Sequence, residues 1–249
     1  MRAVPFRMSC LLAIAAASLA TVPSRAANAR SEPTVLQIGE SIRDRFVAEA
    51  RKCGAELPFE PHVVVDPNAS IDVRYSLDDR TIHFTDWNNL DQNSQGAITA
   101  WAAKGTLGLS PEDMYREMFN SFIAPHELGH YLQQISGRWG SLTPWDAELE
   151  ANRIGMAFWV LQPGDEGNVE ARVANITRFL DDIPSPVPAD QDPISFFNAN
   201  YGAFSAGKDG PLNPMSYSWF QAEMMKTALR EREANSFCSL VALNRTSRR

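Results

Sequence analysis

The sequence predicts an α+β fold in which a small antiparallel sheet lies beside a larger set of helices. Apolar residues recur at helical spacing between Val35 and Lys52, whereas apolar and polar residues alternate between His62 and Trp87. Helix-start signals are frequent from Ser94 onward, which predicts a helical C-terminal part. With 249 residues, 44% of them apolar, the chain is long enough for one substantial core.

The first predicted helix runs from Val35 to about Lys52, and Gly54 follows where a helix would stop. The next segment, His62 to Trp87, contains short runs rich in β-branched and aromatic residues. Asp78-Asp79 interrupts these runs and favours a turn. Two or three antiparallel strands are predicted, built on Val63-Val64-Val65, on Ile71, Val73 and Tyr75, and on Ile82 and Phe84.

The helices that follow begin with capping residues. Ser94 is predicted to cap a short helix that extends to Lys104. Ser110 to Asp113 places a capping serine, then a proline at the first helical position and two acids in the first turn. Pro125 requires that this helix either kink there or restart with Pro125 at its first position, before it ends near Gly137.

Three more helices are predicted towards the C-terminus. The first starts at Thr143-Pro144 and runs to about Leu161, and the second covers Asp165–Leu180. A long final helix opens at Asn213-Pro214 and runs to about Glu233. The proline-rich stretch 183–188 is interpreted as a stiff surface connection within one domain.

The N-terminal segment resembles a secretory signal peptide. Two arginines precede a 13-residue apolar run from Met8 to Ala20, and a small-x-Ala pattern ends at Ala26. Cleavage is expected after Ala26, or alternatively after Ala29, which leaves a single domain at 27–249. Because the apolar run is too short to span a bilayer and no later stretch reaches the required length, a secreted or periplasmic protein with no transmembrane segment is predicted.

The charge and the cysteines of the mature chain fit that prediction. Cleavage leaves 20 of the 23 basic residues against 30 acidic ones, which disfavours nucleic acid as a partner because phosphate contacts need clustered Lys and Arg. Cys10 is removed with the signal peptide. Cys53 and Cys238 remain and are predicted to form a disulfide in an oxidising compartment, the alternative being two buried free thiols.

The motif His126-Glu127-Leu128-Gly129-His130 predicts a metal site. On a helix, residues i and i+4 lie ~40° apart around the axis and ~6 Å apart along it, so both imidazoles can face one ion. Glu127 would then lie beside that ion, where its carboxylate can take a proton from a metal-bound water. The chain has four histidines, so the pairing of two of them around a glutamate exceeds what their abundance would produce.

A catalytic zinc usually takes three protein ligands and keeps a fourth position for water. An extended motif with a third histidine is excluded, because Gln133 and Ser136 occupy the positions that would hold its glycine and histidine. A glutamate from the following helix is the other source of a ligand. Glu148 and Glu150 both lie there, but they project about 200° apart, so both cannot face one metal.

The segment from His126 to His130, followed by Glu148-x-x-Ala151-Asn152, resembles the gluzincin class of zinc metallopeptidases. The resemblance covers Pro125 to Gly155. It implies one Zn²⁺ per chain held by His126, His130 and Glu148, with Glu127 as the base and Asn152 holding the second nitrogen of a ligand histidine. Glu148 is favoured over Glu150 because it shares a helix face with Asn152.

The resemblance also implies a zincin-like fold, with the sheet beside the H-E-x-x-H helix, and hydrolysis of a protein or peptide substrate. Many gluzincins stabilise the oxyanion with a downstream histidine, and no histidine follows His130. The replacement candidates are Tyr201, Tyr217, Arg230 and His83, with Tyr217 the first to test. Trp139 and Trp145 flank the link between the two metal helices and are candidates for the wall of a cleft.

Two alternatives to a broad peptidase follow from the same residues. A catalytically silent, zinc-stabilised binding or scaffold protein of the cell envelope would keep the site without turnover. Glu127 argues against it, because a structural zinc site needs no base and is usually closed by a fourth ligand. The other alternative is a processing enzyme that acts on one substrate and is inactive on generic proteins.

Overall fold

A three-stranded sheet and a larger set of helices form an α+β fold in the computed structural model, which describes residues 32–67, 73–205 and 214–244. The predicted signal peptide, Ile71 of the predicted strand, Asn213 and residues 245–249 lie outside these ranges. The helices are α1 (Val35–Lys52), α2 (Gln92–Ala102), α3 (Pro111–Tyr115), α4 (Ala124–Ile135), α5 (Pro144–Val160), α6 (Val169–Thr177), α7 (Pro193–Ser205), α8 (Pro214–Arg230) and α9 (Phe237–Leu243).

The sheet is mixed rather than antiparallel. Its strands are β1 (His62–Asp66), β2 (Val73–Ser76) and β3 (Thr81–Thr85), in the order β1-β3-β2. β2 and β3 are antiparallel, as predicted, but β1 runs parallel to β3, so the antiparallel prediction is wrong for that pair. The alternation of apolar residues specifies which face of a strand is buried and carries no information on strand direction.

Two of the predicted helix starts are confirmed by their caps. The hydroxyl of Ser110 accepts from the N–H of Asp113, and the hydroxyl of Thr143 accepts from the N–H of Asp146. The prediction that Ser94 caps α2 is wrong. The Asp91 carboxylate caps α2 instead, accepting from the Ser94 N–H at 2.8 Å, so the helix begins about one turn earlier than predicted.

Pro125 lies in the first turn of a new helix. A π-helical segment, Arg116–Phe122, follows α3, and α4 restarts at Ala124, one residue before the predicted position. A proline is tolerated in a first turn because its missing N–H would have no partner there. The helix ends at Ile135, and Gly137 follows with a φ of 73°.

The helices after α5 differ from the prediction. In place of the single helix predicted over 165–180, the structure has α6 with a short 3₁₀ turn on each side. Asn168 caps α6, because its side chain accepts from the Ala171 N–H at 3.3 Å. α8 ends at Arg230 rather than Glu233, and α9 follows it. α7 was not predicted. It buries Phe197 and Phe204 against Phe220 of α8.

α4 and α5 cross at two glycines. A Cβ on Gly129 would lie 2.9 Å from the Cα of Ala151, and a Cβ on Gly155 would lie 3.0 Å from the backbone nitrogen of His126. A side chain at Gly129 would force the backbone of α5 to shift, and one at Gly155 would need the backbone of α4 to move by a few tenths of an ångström. The two glycines therefore let the backbones of α4 and α5 approach closely, which brings residues of α5 next to the histidines of α4.

The core has two parts. The larger packs α1, the sheet and α4 around residues such as Phe46, Phe84 and Leu128. The smaller, here called the aromatic cluster, joins α5 to α7 and α8 through five buried residues: Leu149, Phe197, Phe204, Phe220 and Met224. The aromatic cluster holds α7 and α8 against the side of α5 that carries Glu148.

Cys53, just after α1, is bonded to Cys238 in α9, with their Cα atoms 5.0 Å apart. The predicted disulfide is therefore present and joins two ends of the fold that are 185 residues apart in sequence. Among the helices in the described ranges, none has both the length and the apolar character needed to cross a bilayer.

Candidate metal centre

His126 and His130 of α4 and Glu148 of α5 form a buried cluster that can hold a metal ion. One ligand atom from each residue lies within 4.8 Å of the others. The two Nε2 atoms are 3.1 Å apart, and Glu148 Oε2 lies 3.2 Å from His126 Nε2 and 3.6 Å from His130 Nε2. Three potential ligand atoms thus converge on one point between the crossing helices.

Glu150 points away from this cluster. Its carboxylate pairs with the guanidinium of Arg138 and accepts from the Asn244 amide at 3.0 Å. The difference follows from helix geometry, because residues two positions apart project to nearly opposite sides of α5. The structure therefore brings Glu148, and not its rival Glu150, to the two histidines.

The cluster is electrostatically paired. Burial alone would lower the pKa of His130, but the Glu148 carboxylate raises it to about 9. Burial would raise the pKa of Glu148, yet the His130 charge and the hydrogen bonds from both imidazoles hold it well below its usual value. Without a metal, a proton on an imidazole faces the carboxylate. A divalent cation would take the place of that proton, and the two imidazoles and one carboxylate suit a metal that accepts nitrogen and oxygen ligands.

Glu127 lies beside the cluster and contacts the sheet. Its Oε2 accepts from the backbone N–H of Tyr75 at 2.8 Å, and its Oε1 is 4.0 Å from His126 Nε2. Burial raises the pKa of Glu127, outweighing the opposing charges of the two histidines. Tyr75 belongs to β2, which has β3 on one side only among the described strands. Glu127 therefore lies between the potential ligands and the edge of the sheet.

Gln133 holds His130. Its Oε1 is 2.9 Å from His130 Nδ1, and its Nε2 donates to the Ala147 carbonyl at 2.9 Å. This fixes the imidazole with Nε2 towards Glu148. The resemblance had implied such a role for Asn152, but the Asn152 amide donates to the Glu148 carbonyl and to Gln221 instead. The sequence could have indicated Gln133 as the partner of His130, because Gln133 lies about one helical turn after it.

Two side chains from α7 and α8 hold the Glu148 carboxylate. The Tyr201 hydroxyl donates to Oε1 at 2.6 Å, and the Gln221 amide donates to Oε2 at 2.8 Å. Tyr217 lies one step further away, where its hydroxyl accepts from the same Gln221 nitrogen at 2.7 Å. Tyr201 was a sequence candidate for stabilising the oxyanion, but its contact with Glu148 was not predicted. Gln221 was not a candidate, because no local pattern marks a glutamine whose partner lies 73 residues earlier.

The remaining sequence candidates have other partners. His83 is hydrogen-bonded to Asp66 and Asp79, and Arg230 is hydrogen-bonded to Thr227. None of these partners belongs to the cluster. Trp139 contributes an edge-on ring whose centroid is 4.8 Å from that of His130. Trp145 packs on the aromatic cluster, as a core residue.

The cluster thus combines two imidazoles, two carboxylates with distinct partners, and hydrogen bonds that orient three of these four groups. His130 is held by Gln133, Glu148 by Tyr201 and Gln221, and Glu127 by the backbone of β2. The donor set fits a divalent metal with a further carboxylate, that of Glu127, at its side. No protein-family model, no curated protein and no solved structure matches the chain.

Proposed function

We propose that the chain is a secreted or periplasmic zinc metallopeptidase of gluzincin type with a zincin-like fold. The observation that carries the proposal is the convergence of His126, His130 and Glu148, with Glu127 beside them. Three protein ligands leave a position for water, which is the arrangement of catalytic rather than structural zinc. A carboxylate next to that position supports hydrolysis over simple metal storage.

Zinc is the metal that this donor set favours, because two neutral imidazoles and one carboxylate are its usual catalytic ligands. When bound, the ion acts as a Lewis acid that polarises a carbonyl and lowers the pKa of a coordinated water. Gln133 keeps Nδ1 of His130 engaged and leaves Nε2 for the metal. Tyr201 and Gln221 restrict the rotation of the Glu148 carboxylate, so its Oε2 stays near both histidines.

Glu127 is the proposed base. It takes the proton that the attacking water loses and then passes it to the nitrogen of the leaving amine, so the base is regenerated in each turnover. Burial raises the pKa of Glu127, which makes its carboxylate a better proton acceptor than an exposed one. The Tyr75 N–H keeps this carboxylate at the edge of the site.

A peptide is the proposed substrate, because a strand edge lies next to the base. Extended peptides commonly add to an exposed sheet edge through backbone hydrogen bonds. The Tyr75 N–H is already bonded to Glu127, so an extended chain would pair with the other outward-facing backbone groups of β2 and present a carbonyl close to Glu127 and the three ligands. The excess of acidic side chains in the predicted mature chain argues against a nucleic-acid substrate.

The first experiment measures the metal content and the hydrolytic activity of the mature protein folded with zinc available. Wild type is expected to retain one zinc per chain after dialysis and to cleave casein or a quenched peptide library. Glu148→Gln should lose the metal, whereas the matched control Glu150→Gln, two residues away on the opposite side of α5, should keep it.

Three outcomes would change the proposal. Absence of bound metal in folded wild type would overturn it. Stable zinc without cleavage of any peptide would identify a zinc-stabilised scaffold instead. Cleavage of selected peptides without cleavage of casein would identify a processing enzyme with a narrow substrate.

A further inference from the structure

Two side-chain amides form a continuous chain of hydrogen bonds that ends on Glu148. Asn152 Nδ2 donates to the backbone carbonyl of Glu148 at 2.9 Å and to Gln221 Oε1 at 2.9 Å. Gln221 Nε2 donates to Glu148 Oε2 at 2.8 Å and to the Tyr217 hydroxyl at 2.7 Å. Both hydrogens of each amide nitrogen are therefore used.

The orientation of both side-chain amides is fixed by the acceptors at the two ends of this series of hydrogen bonds, the Glu148 carbonyl and the Glu148 carboxylate. The Glu148 carbonyl only accepts, so the Asn152 atom that faces it must be the nitrogen. That nitrogen also faces Gln221, which must present its oxygen there. The remaining Gln221 atom is then the nitrogen, and it faces a carboxylate oxygen that also only accepts.

We propose that Asn152 and Gln221 are positioning residues that hold Glu148 for metal binding, and that position 152 requires an amide rather than a carboxylate. The inference rests on the metal site proposed above. It departs from the gluzincin resemblance, in which an aspartate or asparagine at this place serves a ligand histidine. Here Gln133 serves His130, and Asn152 serves the glutamate through Gln221.

An aspartate at position 152 could not donate either of the two hydrogen bonds that Asn152 donates. Its carboxylate would face two acceptors, the Glu148 carbonyl and Gln221 Oε1, with no hydrogen to give to either. If Gln221 turned its nitrogen towards the new carboxylate, its oxygen would face Glu148 Oε2. Either arrangement leaves buried acceptors opposed, since Asn152 is 5% and Glu148 2% exposed.

The test is the zinc dissociation constant of the folded mature protein, measured by competition with a chromophoric chelator. Asn152→Asp and Gln221→Met are each expected to weaken zinc binding about 10- to 100-fold, the usual effect of removing a partner that orients a ligand. Gln162→Met is the matched control. It removes a half-buried glutamine amide that contacts Arg45 and the Phe158 carbonyl, and should change the constant less than twofold.

The double variant separates positioning from general destabilisation. If Asn152 acts through Gln221, Asn152→Asp combined with Gln221→Met should bind zinc no more weakly than the worse single variant. Independent structural damage would instead make the two effects add. The melting temperature in excess chelator, compared across the variants, reports the stability of the metal-free fold separately.

Besides additive effects in the double variant, three results would overturn the inference. Zinc binding by Asn152→Asp that equals or exceeds wild type would mean that position 152 serves a histidine, as in gluzincins. If Asn152→Asp fails to fold, an unchanged zinc constant in Gln221→Met decides against the inference. In both cases the proposed metal site stands, whereas the absence of zinc binding by wild type would remove both proposals.

Discussion

The backbone N–H of Tyr75 donates to the carboxylate of Glu127 at 2.8 Å, which joins the edge strand to the helix that carries both histidines. Tyr75 strengthens this junction through its side chain, since its hydroxyl donates to the Gln134 side chain one turn beyond His130. Strand and helix therefore hold the proposed base from two sides. The position of Glu127 depends on the sheet as much as on its own helix.

We expect Glu127→Gln to keep the metal and lose the activity. The amide oxygen of glutamine can still accept from the Tyr75 N–H, so the fold and the ligand set should persist. Removal of the base should lower kcat about 10²- to 10⁴-fold. Metal analysis and peptide hydrolysis on the same preparation test this. Retention of more than about a tenth of the wild-type rate would exclude Glu127 as the base.

Tyr201→Phe is expected to weaken zinc binding about tenfold, because it removes a hydrogen bond to a charged ligand. Burial and the nearby Glu148 charge raise the pKa of Tyr201, so its hydroxyl stays protonated at neutral pH. The ring should stay in place, packed on Phe197. Tyr131→Phe is the control, since it removes a buried hydroxyl that donates to the Phe59 carbonyl rather than to the cluster. A larger effect at Tyr131 than at Tyr201 would contradict the assignment.

Gly129→Ala should separate α4 from α5. The new methyl group would lie 2.9 Å from the Cα of Ala151, which is backbone and cannot turn away. We expect a loss of about 1–3 kcal/mol in the free energy of unfolding, together with weaker zinc binding. Chemical denaturation and metal titration measure the two effects. Gly96→Ala in α2 is the control, because its methyl group would meet nothing within 4 Å.

We also predict the direction in which Gly96→Ala changes the free energy of unfolding. Gly96 lies in the exposed interior of a helix, where alanine is favoured by about 0.5–1 kcal/mol. Gly96→Ala should therefore stabilise the protein and leave zinc binding unchanged. Equal behaviour of the two variants would show that the crossing of α4 and α5 does not restrict the metal site.

Asp66→Asn tests the stability of the sheet away from the metal site. Burial would raise the pKa of Asp66, but hydrogen bonds from His83 and Arg74 outweigh it and lower the pKa. A carboxylate whose pKa is lowered on folding stabilises the fold above its unfolded pKa, near 3.8, and loses that contribution as the pH falls through the folded value. We expect a melting temperature about 2 °C lower at pH 7.

The same difference should shrink as the pH falls below 3.8, because the wild-type carboxylate then becomes protonated. Melting curves between pH 7 and pH 2.5 would record it. A difference that grows towards acid would show that Asp66 stabilises the fold through something other than its charge.

Local patterns predicted the parts of the site that depend on one helix at a time. The i, i+4 spacing of His126 and His130, the cap at Thr143 and the opposite directions of Glu148 and Glu150 all follow from helix geometry. Each of these needs only residues within about two turns. The predicted disulfide was the exception, since it relied on the number of cysteines and on the compartment.

The features that the sequence did not reveal depend on contacts between distant elements. Tyr201 and Gln221 reach Glu148 from 53 and 73 residues away, and their positions are set by the packing of α7 and α8 on the aromatic cluster. The parallel pairing of β1 with β3 is likewise decided by how the chain crosses the sheet. The spacing of apolar residues indicates which face of a helix or strand is buried, but it does not indicate which element covers that face.

The disulfide between Cys53 and Cys238 closes a covalent ring that contains every residue proposed for the metal centre. A single backbone cut within that ring produces two fragments that stay linked. The fragment with the histidines thus remains attached to the one with Glu148 even when the cut falls between them. In an oxidising compartment rich in proteases, one nick does not by itself disperse the site.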